Sequence, residues 1–222
     1  MARSGEEARD ALLDAAERLF AVQGIETASL RDISIEAGQK NNSAAQYHFG
    51  DRAGLVAAVF TRRMDRINER RLRMIAEIDA SGANDVVSLT SALAIPLIDY
   101  VTSNHGWYAR FLLRTEFDHF AITVKNALPV SLPVKELTNR LVEVLGDLPP
   151  KIRRNRIEQM MTHYIGAVAD WEWERDRGAI RLTPAQLKQD VLATSCAMLL
   201  APTQISTEYT TPITSPGASH DS

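Results

Sequence analysis

The chain has 222 residues, 45% hydrophobic and 24% charged, with 25 Lys and Arg against 28 Asp and Glu for a net charge of −3. That is the composition of a folded protein with a sizeable core, and it excludes a disordered chain, a fibrous repeat and a protein that coats polyanions indiscriminately. The one cysteine, Cys196, excludes an internal disulfide and a cysteine-based zinc site and fits a reducing compartment.

Apolar residues recur at helical spacing almost everywhere and no run alternates strictly, so the expected class is all-α. Ala8, Leu12, Ala16, Leu19 and Phe20 form the stripe of a first helix, with Ser4 and Glu7 placed as a capping box and Gly24 as its stop. Ser29 with Asp32 opens a short second helix ending at Gly38, a third covers about 42–49, and Asp51 caps a long fourth over about 52–78. A turn-rich break at 79–85 precedes helical periods at about 86–102 and 106–117. Pro129 and Pro133 bracket a connection, 134–145 reads as an amphipathic helix closed by Gly146, and Pro149-Pro150 starts the longest pattern, carrying Ile157, Met161, Tyr164, Val168, Trp171 and Arg175. Thr183-Pro-Ala-Gln186 opens a final helix with the stripe Leu187, Val191, Ser195 and Met198. Residues 202–222 hold nine Ser and Thr and three Pro, the composition of a disordered tail. The first ten residues have charges spread through them and no apolar segment, and the most apolar runs, 92–98 and 196–201, are about seven residues or fewer against about 20 for a membrane helix. A cytoplasmic protein with no membrane partner is expected.

The segment 29–49 carries the chemistry. Two short helices joined through a glycine turn, the second rich in Asn, Ser, Gln, Tyr and His, form the pattern of a helix-turn-helix. Asn and Gln donate and accept together, which matches the N6/N7 edge of adenine, while Tyr, His and Ser suit phosphate oxygens. On composition alone, such a helix is as readily a merely solvated one.

Over about 8–60 the chain resembles the TetR family of transcriptional regulators. The likeness is carried by Leu12-Leu-Asp-Ala-Ala-Glu-Arg-Leu-Phe20, Gly24, Thr27-Ala-Ser-Leu-Arg-Asp-Ile33, Ala37-Gly38, Tyr47-His-Phe49 and Asp51-Arg-Ala-Gly-Leu55. Between Gly38 and Tyr47 there is one residue more than in the commonest family pattern, and Gln46 stands where an apolar residue is usual. The turn or the reading helix must absorb the extra residue. The resemblance implies that Ser29 caps the second helix and reaches a phosphate. Asn41, Asn42, Ser43 and Gln46 are the candidates for base edges, with Lys40 in the same DNA-binding stretch; the resemblance puts Tyr47 and His48 on phosphates, and Arg52 stands where the family usually has a phosphate-binding lysine. A phenol can also pack, so Tyr47 has a second reading as part of the core.

By the same resemblance, 1–50 is a three-helix DNA-binding domain and 51–201 a helical ligand-binding and dimerisation domain. The expected protein is a homodimeric repressor, released from an inverted-repeat operator in double-stranded DNA by a small, mostly apolar effector. Tyr100, Trp107, Tyr108, Phe111, Phe117, Met160, His163 and Tyr164 offer an aromatic pocket wall with a few polar tips. The stripes Ile157, Met161, Val168, Trp171 and Leu187, Val191, Ser195, Met198 are the expected dimer interface, able to form a four-helix bundle across a two-fold axis. The arginine cluster 62–73 reads as a solvated face with local pairs to Asp65 and Glu69. Glu116 and His119 have a spacing too common to argue a metal site, and no cofactor is expected. No glycine-rich phosphate loop, Gly-x-Ser-x-Gly elbow or His-Glu-x-x-His is present, so no catalysis is expected.

Overall fold

A computed structural model describes residues 5–203. Among them are ten α-helices, one 3-10 turn and no strand, so the all-α expectation holds. The proposed capping residue Ser4 and most of the proposed tail lie outside the described residues.

Helix α1 (Gly5–Gln23) stops at Gly24, whose φ of 96° suits glycine. Helix α2 (Leu30–Glu36) is capped by Ser29, which accepts from Asp32 N at 3.1 Å. Helix α3 (Ala44–Phe49) is shorter than expected. Residues 40–43 form a turn ahead of it, because Asn41 Oδ1 accepts from Ser43 N at 2.9 Å and Asn41 O accepts from Ala44 N.

Helix α4 (Arg52–Ser81) has 30 residues, about 45 Å at 1.5 Å per residue, and belongs to both halves of the molecule. Its first half closes the core of α1–α3 with Leu55 and Val59, against Leu12, Phe20, Ile33 and Ala45. Its second half packs on α5 (Val86–Ser103). Helices α6 (Tyr108–Thr115), α8 (Leu132–Val144), α9 (Pro150–Asp176) and α10 (Pro184–Leu200) follow the expected order, and the box at Thr183 and Gln186 is formed. The sequence pattern did not show α7 (His119–Ala127), which buries only Ala121 and so has no apolar stripe; Asp118, accepting from Ala121 N, was its available signal.

Helix α5 is the central helix, covered by α4, α8, α9 and α10. By length and composition alone it could cross a membrane, a longer apolar stretch than the runs suggested, but more than half of it is buried inside the protein. Burial accounts for its apolar character. Arg175 on α9 caps its end, donating to Val101 O at 3.1 Å and Asn104 O at 2.7 Å.

Candidate nucleic-acid interface and internal cavity

The N-terminal unit is braced by one serine. Ser34 is fully buried in α2; its Oγ donates to Leu30 O at 2.9 Å and accepts from Ala45 N of α3 at 3.0 Å. That bond satisfies a donor at the start of α3, which has no side-chain cap of its own, and sets the angle between the two helices. Ala44 and Ala45 face the core, and their small side chains let α3 lie close to it.

The opposite face of α3 and the turn before it are open. Lys40, Asn41, Asn42, Ser43 and Gln46 are all exposed, and Tyr47 is 84% exposed, which rules out its core-packing reading. His48 is half-buried with its ring edge-on to Tyr47 at 5.2 Å. Two expectations change. Asn42 and Ser43 belong, with Lys40 and Asn41, to the turn rather than the helix, and Asn41 has given its carbonyl oxygen to that turn. Arg52 points away from the open face: its guanidinium donates to Glu26 O at 2.6 Å and to Ile25 O, tying the loop after α1 to the start of α4.

Arg66, Arg70 and Arg73 of α4 are exposed as expected, but Arg62, Arg63 and Arg71 are not, and the ion pairs that form are not to Asp65 or Glu69. Arg62 reaches Asp14 at 2.8 Å and Asp10 at 3.7 Å, and Arg63 reaches Glu17 at 2.8 Å and Asp14 at 3.0 Å, all on α1. Arg70 pairs with Asp99. Glu17 is the centre of this joint. It is buried, takes Arg63 Nε on one oxygen and accepts the Trp107 N–H on the other at 2.8 Å. Burial lowers the Arg63 pKa, but the Glu17 charge and hydrogen bond overcome this and hold it above the ordinary arginine value. From the far side, buried Glu172 of α9 accepts from Ala109 N, Arg110 N and Arg110 Nε, and so caps α6. Burial pushes the Glu172 carboxyl up against the opposing pull of Arg110. The α1–α3 unit is therefore seated on α4 and α6 together.

Those two helices also wall an internal cavity of about 200 Å³. Phe60, Met64 and Arg71 of α4, Leu97 of α5, Leu112 of α6 with Glu116 just beyond its end, and Met161, Tyr164 and Ile165 of α9 line it, and Lys125, Asn126, Lys135 and Thr138 are shared with a broad outer groove. Of the expected ligand residues only Tyr164 is here. Tyr108 and Phe111 are buried between α1 and α6, with the Tyr108 hydroxyl donating to Phe60 O and the Phe111 ring stacked on Phe20. Tyr100 lies edge-on to Tyr108, Met160 is core, Trp107 lies under Arg110, Phe117 is 75% exposed and His163 bonds Thr194. Aromatic composition marked the interior of this domain without distinguishing packing from a cavity wall. Arg71 was missed, although its position among Met64, Ile67, Ile75 and Ile78 puts a charge on an apolar stripe. Glu116 is taken by Lys125, and among the described residues no three metal-ligating side chains cluster.

The expected dimer stripe is also corrected. Ile157, Val168, Trp171, Leu187, Val191 and Ser195 are buried within their own chain, because α10 lies against α5 and α9; Met161 lines the cavity and Met198 the outer groove. Val191→Ala should therefore cost about 2 kcal/mol of subunit stability and leave association unchanged, as read by urea unfolding and by light scattering.

Among curated proteins none matches this sequence. Among solved structures the chain is similar to NalD, the secondary repressor of the MexAB-OprM multidrug efflux pump in Pseudomonas aeruginosa, at 17% identity and a TM-score of 0.47, over 86% of this chain and 94% of that one. The family described as bacterial regulatory proteins, tetR family, matches residues 12–59, which contain the Ser34-braced helix pair, its exposed face and the start of α4. Over these residues the N-terminal unit is similar to the tetR family of bacterial regulatory proteins, DNA-binding regulators of transcription.

Proposed function

We propose that the protein is a homodimeric repressor that holds an inverted-repeat operator and releases it when a small effector enters the internal cavity. The observation that carries this reading is the sharing of α4 and α6. Phe60, Met64, Leu112 and Glu116 wall the cavity, while Arg63 on α4 and Trp107 at the head of α6 grip Glu17 of α1. An occupant that fits one arrangement of α4 against α6 better than another moves the seat of α1–α3. A ligand shifts such an equilibrium only by its difference in affinity for the two arrangements. In a two-fold dimer the paired α3 helices enter successive major grooves about 34 Å apart, so the separation of the two seats governs DNA affinity.

The turn 40–43 and the residues Gln46, Tyr47 and His48 form the proposed contact surface, with Ser29 at its edge. Asn42→Ala should weaken binding by about 1–3 kcal/mol at one base position and leave other sequences unaffected. Lys40→Ala should weaken all sequences alike and lower the slope of log affinity against log salt by about one. Fluorescence anisotropy on the gene's own upstream DNA reads both. Absence of any sequence preference in the unaltered protein would leave the N-terminal unit as structure only and sink the repressor reading.

A further inference from the structure

Arg71 is the one wall residue whose presence the packing does not explain. It is 1% exposed. One terminal nitrogen donates to Asn68 Oδ1 and lies 3.4 Å from Met64 Sδ, the other donates to Leu93 O at 3.2 Å, and Nε has no partner among the described residues. None of these partners is charged. Arg63 and Arg110, less buried, each rest on a buried carboxylate, Glu17 and Glu172; Arg71 forms no ion pair among the described residues. A guanidinium does not give up its proton in a protein, and a buried charge without a counter-charge is strongly unfavourable.

The surroundings repeat the sign. Lys125 and Lys135 stand at the polar end, where the cavity joins the outer groove, and the only carboxylate in the wall, Glu116, is already held by Lys125. Tyr164 faces the same space, and burial pushes its phenol up to about 12, so at neutral pH it remains an O–H donor. The rest of the wall is apolar, and about 200 Å³ exceeds the ~150 Å³ that accommodates benzene.

We propose that the cavity binds a small organic monocarboxylate about the size of benzoate, its head gripped by the Arg71 guanidinium and the Tyr164 hydroxyl and its apolar body among Phe60, Leu97, Leu112 and Ile165. This rests on the reading of the cavity as the effector site and names the effector's chemical class. The anion supplies the missing counter-charge, and the lysines at the mouth draw it in.

Calorimetric titration of the full chain, without DNA, with benzoate and with its neutral isostere benzamide tests the proposal. Benzoate should bind at least roughly tenfold more tightly, the value of one charge-assisted hydrogen bond. Arg71→Met should remove the preference, with a thermal melt confirming that the variant folds. If it does not fold, Tyr164→Phe serves instead and should weaken benzoate about threefold and benzamide by less, since a carboxylate accepts the stronger hydrogen bond. Equal binding of the two probes, no benzoate binding at millimolar concentration, or a preference that survives Arg71→Met would each overturn the proposal. Operator release is measured separately: benzoate that binds yet leaves DNA affinity unchanged would preserve the anion site and overturn the effector role.

Discussion

Replacing Glu17 by alanine should lower the unfolding free energy by about 3 kcal/mol, because it strands two groups at once. The Trp107 N–H loses its acceptor, and Arg63, on the buried side of α4, keeps only the exposed Asp14. Asp14 holds the loss to the lower end of the range for a broken buried pair. Glu17→Gln retains an acceptor for Trp107 and loses only the charge, so about half the loss should return. Urea unfolding measures both. The same substitutions test coupling: if Glu17 links the reading unit to α4 and α6, operator affinity should fall further with alanine than with glutamine. Equal stability of the three proteins would show that the joint contributes nothing.

Gly54→Ala is the second large effect, and its sign runs against helix propensity. Gly54 sits in the first turn of α4 with an ordinary helical backbone, where alanine would usually be favoured by about 1 kcal/mol. A Cβ there would lie 2.1 Å from Phe49 O and 3.3 Å from its carbon. That carbonyl is main chain, held over α4 by its bond from Asp51 N, so it cannot swing aside as a side chain would. Alanine should instead cost about 2–3 kcal/mol and push the end of α3 away from α4. Operator affinity should drop with it, in contrast to Lys40→Ala, which should leave the melting temperature unchanged. A Gly54→Ala protein as stable as the parent would mean that the approach of Phe49 O is not required.

The order and type of nearly every helix was legible in the sequence, because those properties are local. Ser29, Asp51 and the box at Thr183 act within one turn, and Gly24 ends a helix through its own φ angle. The exposed polar face of α3 was legible for a related reason: polar residues on a short helix beside buried Ala44 and Ala45 have nowhere to go but outward. Its register was not, since whether Asn42 and Ser43 are helix or turn depends on Asn41 accepting from Ser43 N and Ala44 N while Ser34, 11 residues before Ala45, accepts that residue's amide.

The large domain divides in the same way. Apolar stripes on α9 and α10 showed that these helices bury one face, but a stripe does not say whether the burying surface is the same chain or another. Only the packing of α10 on α5 turned Leu187 and Val191 inward. Likewise Tyr108 and Tyr164 are both buried aromatic residues in the sequence pattern, and three-dimensional neighbours alone put the first under Phe60 and the second against an open space with Arg71. Sequence by itself determined the helices and the outward polarity of α3, because hydrogen bonds within one turn and the contrast of apolar with polar faces are local. Which buried charge meets a carboxylate and which meets a cavity was decided by tertiary structure, because it depends on groups brought together from distant parts of the chain.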